Sequence, residues 1–473
     1  MTHSFRIAFL SEHASPVALL GSEDAGGQNV YVDEVTRTLG RFGYAVDIFT
    51  RRDSLDAPEI IDWAPGVRVV NLSAGPPRFL LKDQLWPLMP TFRTAFLRFM
   101  MRDGARYDLI HGNFWMSGWV AVELQRRLRI PAVQIFHAMG LTKRRHQGEA
   151  DTSPEVRIEI EMGIVRAVTR LIAQCPSERA ELIEDYGADP EEVEVIPSGV
   201  NIERFRPVPR DEARRRVGLD LDEPVIVYVG RMLPRKDVRN VVRALAILTR
   251  RYDEGQALPR LLLVGGETAE PDPVATPEIG ELQRLAVELG VADRVCFAGK
   301  RLPLVLRDFY SAGDSNWRQA GSASMTPLVL RDFYSAGDVA VTTPWYEPFG
   351  LTPLEAMACG RPVIGSAVGG ITFTVEDGVT GFHVPPRTPE VLADRLHELL
   401  TQPELRAEMG RAARARVERK FTWPMVAQHT AMLYEALLAS NGPSATATAG
   451  RVRRLPVVPR KRVSIVRPRT ADS

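Results

Sequence analysis

The chain reads as an α/β protein of two Rossmann-like, doubly wound domains. Short apolar runs alternate with amphipathic helical patterns along the body, as parallel sheets covered by helices on both faces require. The alternation comes in two series, separated by the linker IPSGVNIERFRPVPRDEARRR. A length of 473 residues, 45% hydrophobic and 25% charged, suits a globular chain of two or three domains.

In the first series FRIAFLSEH predicts the opening strand, followed by a Gly-rich turn and a helix over Gln28–Arg41. YAVDIFT, VRVVNL, DLIHGNF, PAVQIFH and RLIAQC continue it as strands. In the second series the strands are PVIVYVGRM, RLLLVGG, DRVCFAG, DVAVTTP and PVIGSA. These patterns place a first domain at 1–205, a second at 206–420, a final helix over 421–440 and a tail at 441–473. The net charge of +1 divides into +7 on that Pro- and Arg-rich tail and −6 on the rest. The tail lacks periodicity and reads as disorder; weak peripheral contact with an anionic membrane is left open for it, and no nucleic-acid partner is expected.

Cys175, Cys296 and Cys359 lie far apart, without metal-ligand spacing, and read as small buried residues of a reduced compartment. No apolar run reaches about 18 residues, and MTHSFRIAFLSEH turns polar too early for a secretory signal. A cytoplasmic monomer or homodimer is the expectation.

Ligands of doubly wound folds bind beyond the carboxyl ends of the strands, and four such places carry suitable residues. Gly26 and Gly27 precede a helix, where free N–H groups favour an anion, although a tight turn without a ligand explains two glycines equally well. His137 ends the strand VQIFH, as a core histidine or as a ligand. Arg231 follows the strand VYVG and Lys236 precedes a helix; a fork and a point charge converging on one crevice suit a pyrophosphate, and solvated charges are the alternative. Finally, PWYEPFGLTPLEAMACGRPV carries Glu347 in a turn and Glu355 within a helix.

Taken together, DAGGQNVYV, DLIHGNFWMSG, FHAMG, GRMLPRKD and EPFGLTPLEAMACGRPVIGSAVGG, with its E-x7-E pair, resemble the retaining glycosyltransferases of the two-domain GT-B class, in family 4 (group 1). The resemblance covers nearly residues 5–440 and implies that the two domains face each other across a central cleft. It implies that Glu347 contacts hydroxyls of the donor sugar, that Glu355 holds the nucleotide ribose, and that Arg231 and Lys236 grip the diphosphate. It further sets Gly26 and Gly27 at the donor phosphate, His137 at a distal sugar hydroxyl, and the Phe349–Gly350–Leu351 turn against the donor. The final helix would cross back to the first domain. Retention by front-face attack is implied, so Glu347 is not a nucleophile like one of the close carboxylate pair in a retaining glycosidase.

Fixed cations at the departing diphosphate make a metal unnecessary, and no cofactor is expected beyond the nucleotide-sugar substrate. Asp220 and Asp222 form a D-x-D string, but before PVIVYVG they read as a turn. Within the family the chain looks most like D-inositol 3-phosphate glycosyltransferases and sucrose-phosphate synthases, which use UDP-sugars and phosphorylated acceptors. By that likeness Lys82, Asn113 and Arg157 would meet the acceptor. Phe114 and Ala138 stand where the former group has a tyrosine and a threonine, removing two hydroxyl donors to the phosphate. A small phosphorylated sugar or polyol is the preferred acceptor, with a lipid-linked or polysaccharide acceptor, or a non-catalytic sugar-nucleotide sensor, as alternatives.

One feature departs from the family. PLVLRDFYSAGD occurs at Pro303–Asp314 and again, identically, at Pro327–Asp338. A single perfect copy is a tandem duplication and not a solenoid. The second copy runs directly into VAVTTPWYEPFG and is expected to form the structural helix, leaving residues 303–326 as surplus.

Overall fold

The structure is a computed structural model and describes residues 5–17, 26–301 and 329–440. Its first sheet contains β1 (Arg6–Leu10), β2 (Ala45–Arg51), β3 (Ile60–Ala64), β4 (Val67–Leu72), β5 (Leu109–Asn113), β6 (Ala132–Ile135), β7 (Arg170–Ala173) and β8 (Val193–Val195). Their spatial order is β3-β4-β2-β1-β5-β6-β7-β8, parallel except for the β3–β4 pair. The second sheet contains β9 (Val225–Val229), β10 (Arg260–Val264), β11 (Val295–Phe297), β12 (Val339–Thr342), β13 (Val363–Ser366) and β14 (Gly381–Val384). Its order, β11-β10-β9-β12-β13-β14, is parallel throughout. The strand order reverses between β1 and β5 and between β9 and β12, the crevices where such sheets take ligands.

The sequence reading lacks β3, β8 and β14, and each of these is a sheet edge. An edge strand needs no long apolar run. β3 reads IIDWA with no buried residue, β8 spans three residues, and β14 reads GFHV.

The first sheet buries Phe49, Phe92 and Phe96 on one face, and Ile7, Phe9, Tyr31 and Val35 on the other. The second face is completed by the end of the chain. The helix Trp423–Ser440 lies along the helix Gly27–Arg41 and contributes Trp423, Tyr434 and Leu437 to that core. Each such fully buried side chain contributes about 1.5–3 kcal/mol. The Tyr434 hydroxyl is hydrogen-bonded to Nδ1 of wholly buried His111, and the Tyr44 hydroxyl donates to Glu435 at 2.7 Å. The chain passes between domains twice, side by side: the Val200 N–H donates to the Phe421 carbonyl at 2.8 Å, and Val200 pairs with Thr422.

The second copy of the repeat supplies the helix Leu330–Ala336, which packs on the helix Arg210–Val217 and leads into β12. Asp338 closes the copy with three bonds. Its Oδ2 accepts from Arg214 Nη2 and from the Val225 N–H, both at 2.7 Å, and its Oδ1 accepts from Arg210 Nε at 3.1 Å. Arg214 is wholly buried and also donates to the carbonyls of Ala336, Asp220, Leu221 and Glu223. Asp220 Oδ1 accepts the Asp222 N–H at 2.9 Å, closing a turn. The first copy with its connector and the basic tail lie outside the described residues. Among the described residues, no helix is long and apolar enough to cross a membrane.

Candidate active site

The loops after β9 and β12 meet in the cleft. Lys236, in the turn Pro234–Lys236, pairs with Oε2 of Glu347, and the two side chains are only 16% and 14% exposed. Burial draws the Lys236 ammonium below its usual range, while Glu347 holds it up. Two further bonds stitch the loops together: the Trp345 N–H donates to the Arg235 carbonyl at 3.0 Å, and the Thr343 hydroxyl to the Asp237 carbonyl at 3.0 Å. The Arg235 guanidinium lies over the Tyr346 ring at 5.3 Å. Arg231 is exposed and forms no ion pair among the described residues.

The EPFG turn rests on glycines. A Cβ at Gly369 would sit 2.1 Å from the Glu347 carbonyl, and one at Gly370 would sit 2.4 Å from Phe349 Cα. Only glycine permits that approach, which gives the SAVGG stretch its reason. Gly350, at φ 89°, starts the helix Leu351–Ala358 that carries Glu355. Oε2 of Glu355 accepts from the Tyr334 hydroxyl at 2.8 Å, and burial pushes its carboxyl up to about 7. The Phe349 ring is buried against Phe421, so only its backbone faces the turn.

From the first domain, Gly26 and Gly27 open the helix Gly27–Arg41, and the Gly26 N–H donates to Asn29 Oδ1 at 3.0 Å. A Cβ at Gly27 would lie 3.2 Å from Leu351 Cδ1, so the domains touch at this point. Phe114 and His137, just beyond β5 and β6, hold φ of 70° and 60°. Such backbone is costly for residues with a side chain and collects at functional sites. Asn113 Nδ2 donates to the Leu10 carbonyl at 3.0 Å, which turns its Oδ1 towards His137 Nε2, also at 3.0 Å. That arrangement assigns the His137 proton to Nε2 and leaves Nδ1 an acceptor. Burial pulls the ring down to about 3, so it is neutral.

Lys82, Asn113 and Arg157 do not form one surface. Lys82 is exposed, on a loop whose Asp83 accepts from Thr152 at 2.7 Å. Asn113 is wholly buried, and its Oδ1 is bonded to His137. Arg157 is 3% exposed and donates to Glu161 at 2.7 Å, to Ser153 at 3.2 Å and to the Ala138 carbonyl at 2.6 Å, with its guanidinium 5.0 Å from the Phe114 ring. The positions of the two missing hydroxyls are thus the ones that cover this arginine, and in this arrangement it is not open to an acceptor.

Gln147, Tyr346 and Glu178 went unread in the sequence. Gln147 donates to the Tyr346 hydroxyl across the cleft, and His146 stacks on the Tyr346 ring at 4.9 Å. A cavity of about 260 Å³ lies behind this contact, bounded by Met139, Glu178, Tyr346 and Glu347. Glu178 follows β7 and could have been found by the same rule of strand ends that singled out Glu347.

Two facing doubly wound domains, with cations and carboxylates converging from the strand ends, define a GT-B glycosyltransferase architecture. Comparison with known proteins agrees. A Glycosyl transferase 4-like domain matches residues 26–199, and the Glycosyl transferases group 1 model matches 209–314 and 327–416. The first of those last two stretches ends with one copy of the repeat, and the second begins with the other. The chain is 36% identical over 443 residues to a D-inositol 3-phosphate glycosyltransferase of Acidothermus cellulolyticus, covering 93% of this chain and 92% of that one. It is 37% identical over 434 residues to the Kribbella flavida protein of the same name, covering 91% and 95%. Among solved structures it resembles the sucrose-phosphate synthase of Thermosynechococcus elongatus, with TM-score 0.78, 34% identity, and coverage of 92% of this chain and all of that one. The chain belongs to the group 1 glycosyltransferases, enzymes that transfer a sugar from a nucleotide-sugar donor.

Proposed function

We propose that the protein is a retaining hexosyltransferase that takes its sugar from a UDP-linked donor and delivers it to a small phosphorylated sugar or polyol without a metal. The observation that carries this reading is the partly buried Lys236–Glu347 pair beside exposed Arg231, at the junction of β9 and β12. Scission of the bond between the anomeric carbon and phosphate oxygen leaves negative charge on the diphosphate. Arg231 and Lys236 neutralise that charge as it develops. The acceptor hydroxyl attacks from the same face, and its proton passes to the leaving phosphate oxygen. Glu347, already paired with Lys236, orients sugar hydroxyls, and the Nδ1 lone pair of neutral His137 accepts from another. The names of the relatives, which specify an inositol phosphate and a sucrose phosphate, support a phosphorylated acceptor.

Incubation with UDP-glucose and UDP-N-acetylglucosamine over a panel of phosphorylated, free and lipid-linked acceptors, read by mass spectrometry, tests this. A retained glycoside of a phosphorylated acceptor is expected, unchanged by EDTA. Loss of product in EDTA with rescue by magnesium would overturn the metal-free reading, and product only on lipid-linked acceptors would overturn the acceptor.

Glu355 is assigned to the ribose. Burial raises its pKa from 4.5 to about 7, so the folded protein keeps this proton longer than the unfolded chain. This group therefore subtracts stability as pH rises from about 4.5 to about 7, and its effect then levels off. An ionised carboxylate accepts ribose hydroxyls more strongly, so UDP affinity is expected to rise across the same interval. Glu355→Ala should weaken UDP binding and abolish the rise, as read by calorimetric titration on either side of neutrality. A variant with wild-type affinity and an unchanged pH response would remove Glu355 from the ribose.

A further inference from the structure

At the end of the second sheet away from the cleft, four arginines gather about one carboxylate. Asp338 and Arg361 stand just before β12 and β13, strands whose carboxyl ends face the cleft. Arg210 and Arg214 reach Asp338 from the helix Arg210–Val217, and Arg406 brings its Nη2 to 4.0 Å from Asp338 Oδ1 from the helix Pro403–Lys420. The other carboxylate at hand, Asp211, is 57% exposed and lies 3.5 Å from Arg210 Nη1. Glu223, farther along the same edge, is engaged by Arg260 and Arg294. The cluster therefore holds more positive charge than its own acids neutralise.

Arg361 supplies the second observation. Among the described residues its side chain makes no hydrogen bond or ion pair, and its Nε is shut away from solvent. Burial draws its guanidinium below the usual range; Asp338 opposes this, and Arg210 and Arg214 add to it. A guanidinium out of water, beside like charges and without a partner, is costly, and an apolar side chain in its place would often be neutral or better. Tyr252, near enough to Arg406 and Asp338 to feel both charges, has a buried hydroxyl that also lacks a partner. Both groups can donate, so what the cluster lacks is an acceptor that carries negative charge.

We propose that this cluster is a binding site for a phosphate group on the face of the second domain away from the cleft, with Arg361 as its principal ligand. Guanidinium forks match the oxygens of a phosphate, and a dianion offsets the surplus charge that Asp338 leaves. The phosphate has two possible sources, the free inorganic ion and a phosphate monoester, and they share this chemistry. None of these residues belongs to the proposed donor or acceptor sites, so the inference does not depend on the transferase reading.

Thermal melts and calorimetric titrations of the full chain test it, with sodium phosphate compared against sodium chloride at equal ionic strength so that screening is common to both. Phosphate is expected to raise the wild-type Tm above its value in chloride, as a ligand of the folded state does. Arg361→Gln is expected to lose that increment and to weaken phosphate binding about ten- to a hundredfold, the effect of losing one charge-assisted bond. In chloride its Tm should equal or exceed that of wild type, because an unpaired charge has been removed. Arg210→Gln, on the more exposed side of the cluster, should weaken phosphate in the same direction and serves if Arg361→Gln does not fold. Arg231→Gln controls for phosphate held in the cleft and should keep the increment. Glycerol 3-phosphate bound more tightly than phosphate assigns a monoester, and equal or weaker binding assigns the free ion. A wild-type protein that gains nothing from phosphate over chloride overturns the proposal. So does phosphate affinity that is unchanged in the folded Arg361 and Arg210 variants, or lost in Arg231→Gln alone.

Discussion

Glu347→Gln is expected to lower turnover about 10²- to 10³-fold, the effect of removing one preorganised electrostatic contact from an active site. The side chain is neutral, almost the same size and still able to bond, so Gly369 and Gly370 can continue to seat the turn. What disappears is the negative charge that supports the Lys236 ammonium against desolvation. Without it, desolvation weighs on the ammonium unopposed, so the cation at the diphosphate is weakened while the sugar loses its carboxylate. A single substitution thus weakens both sides of the breaking bond. The two side chains are partly exposed, so Tm should stay within a few degrees of wild type. Steady-state kinetics and a thermal melt on the same preparation check this. Wild-type turnover would remove Glu347 from the reaction, and a melt lowered in proportion to the lost activity would make the pair structural.

The second large effect falls on stability. Asp338→Ala leaves Arg214, wholly buried, without its carboxylate and frees the Val225 N–H at the start of β9. Removing one partner of a buried pair costs about 3–5 kcal/mol, because the remaining charge is still out of water. Chemical denaturation should show the loss as a lower midpoint. The repeat provides an internal control, since Asp314 occupies the same place in an identical twelve-residue stretch. Asp314→Ala is expected to leave the midpoint unchanged. If Asp314 proves sensitive and Asp338 does not, the copies have exchanged places in the groove.

What the sequence revealed and what it hid have physical causes. The interior strands announce themselves because a parallel strand buried on both faces must be apolar along its length, as VIVYV and RLLLV are. β3, β8 and β14 escape because an edge imposes no such demand. Residues of the candidate site were visible where they follow a strand directly, as His137, Arg231 and Glu347 do. Tyr334 was hidden: it lies within the repeat, and its bond to Glu355 joins two helices that periodicity cannot relate. Arg157 shows the converse limit. Its position was legible, but its contacts with the Phe114 ring and the Ala138 carbonyl, from two other strand ends, arise only in three dimensions.

The last helix has a consequence that unfolds in time. Trp423, Tyr434 and Leu437 cover Ile7, Phe9, Tyr31 and Val35, so these residues wait for partners made only after the whole second domain. Domains commonly fold as they emerge, the amino-terminal one first. Here that order is broken. Throughout synthesis of the second domain, the first carries an uncovered apolar stripe and a buried-to-be His111 with no tyrosine to meet it. The first domain is closed only when the helix Trp423–Ser440 arrives, and a nascent chain stalled before residue 423 would be a sticky one.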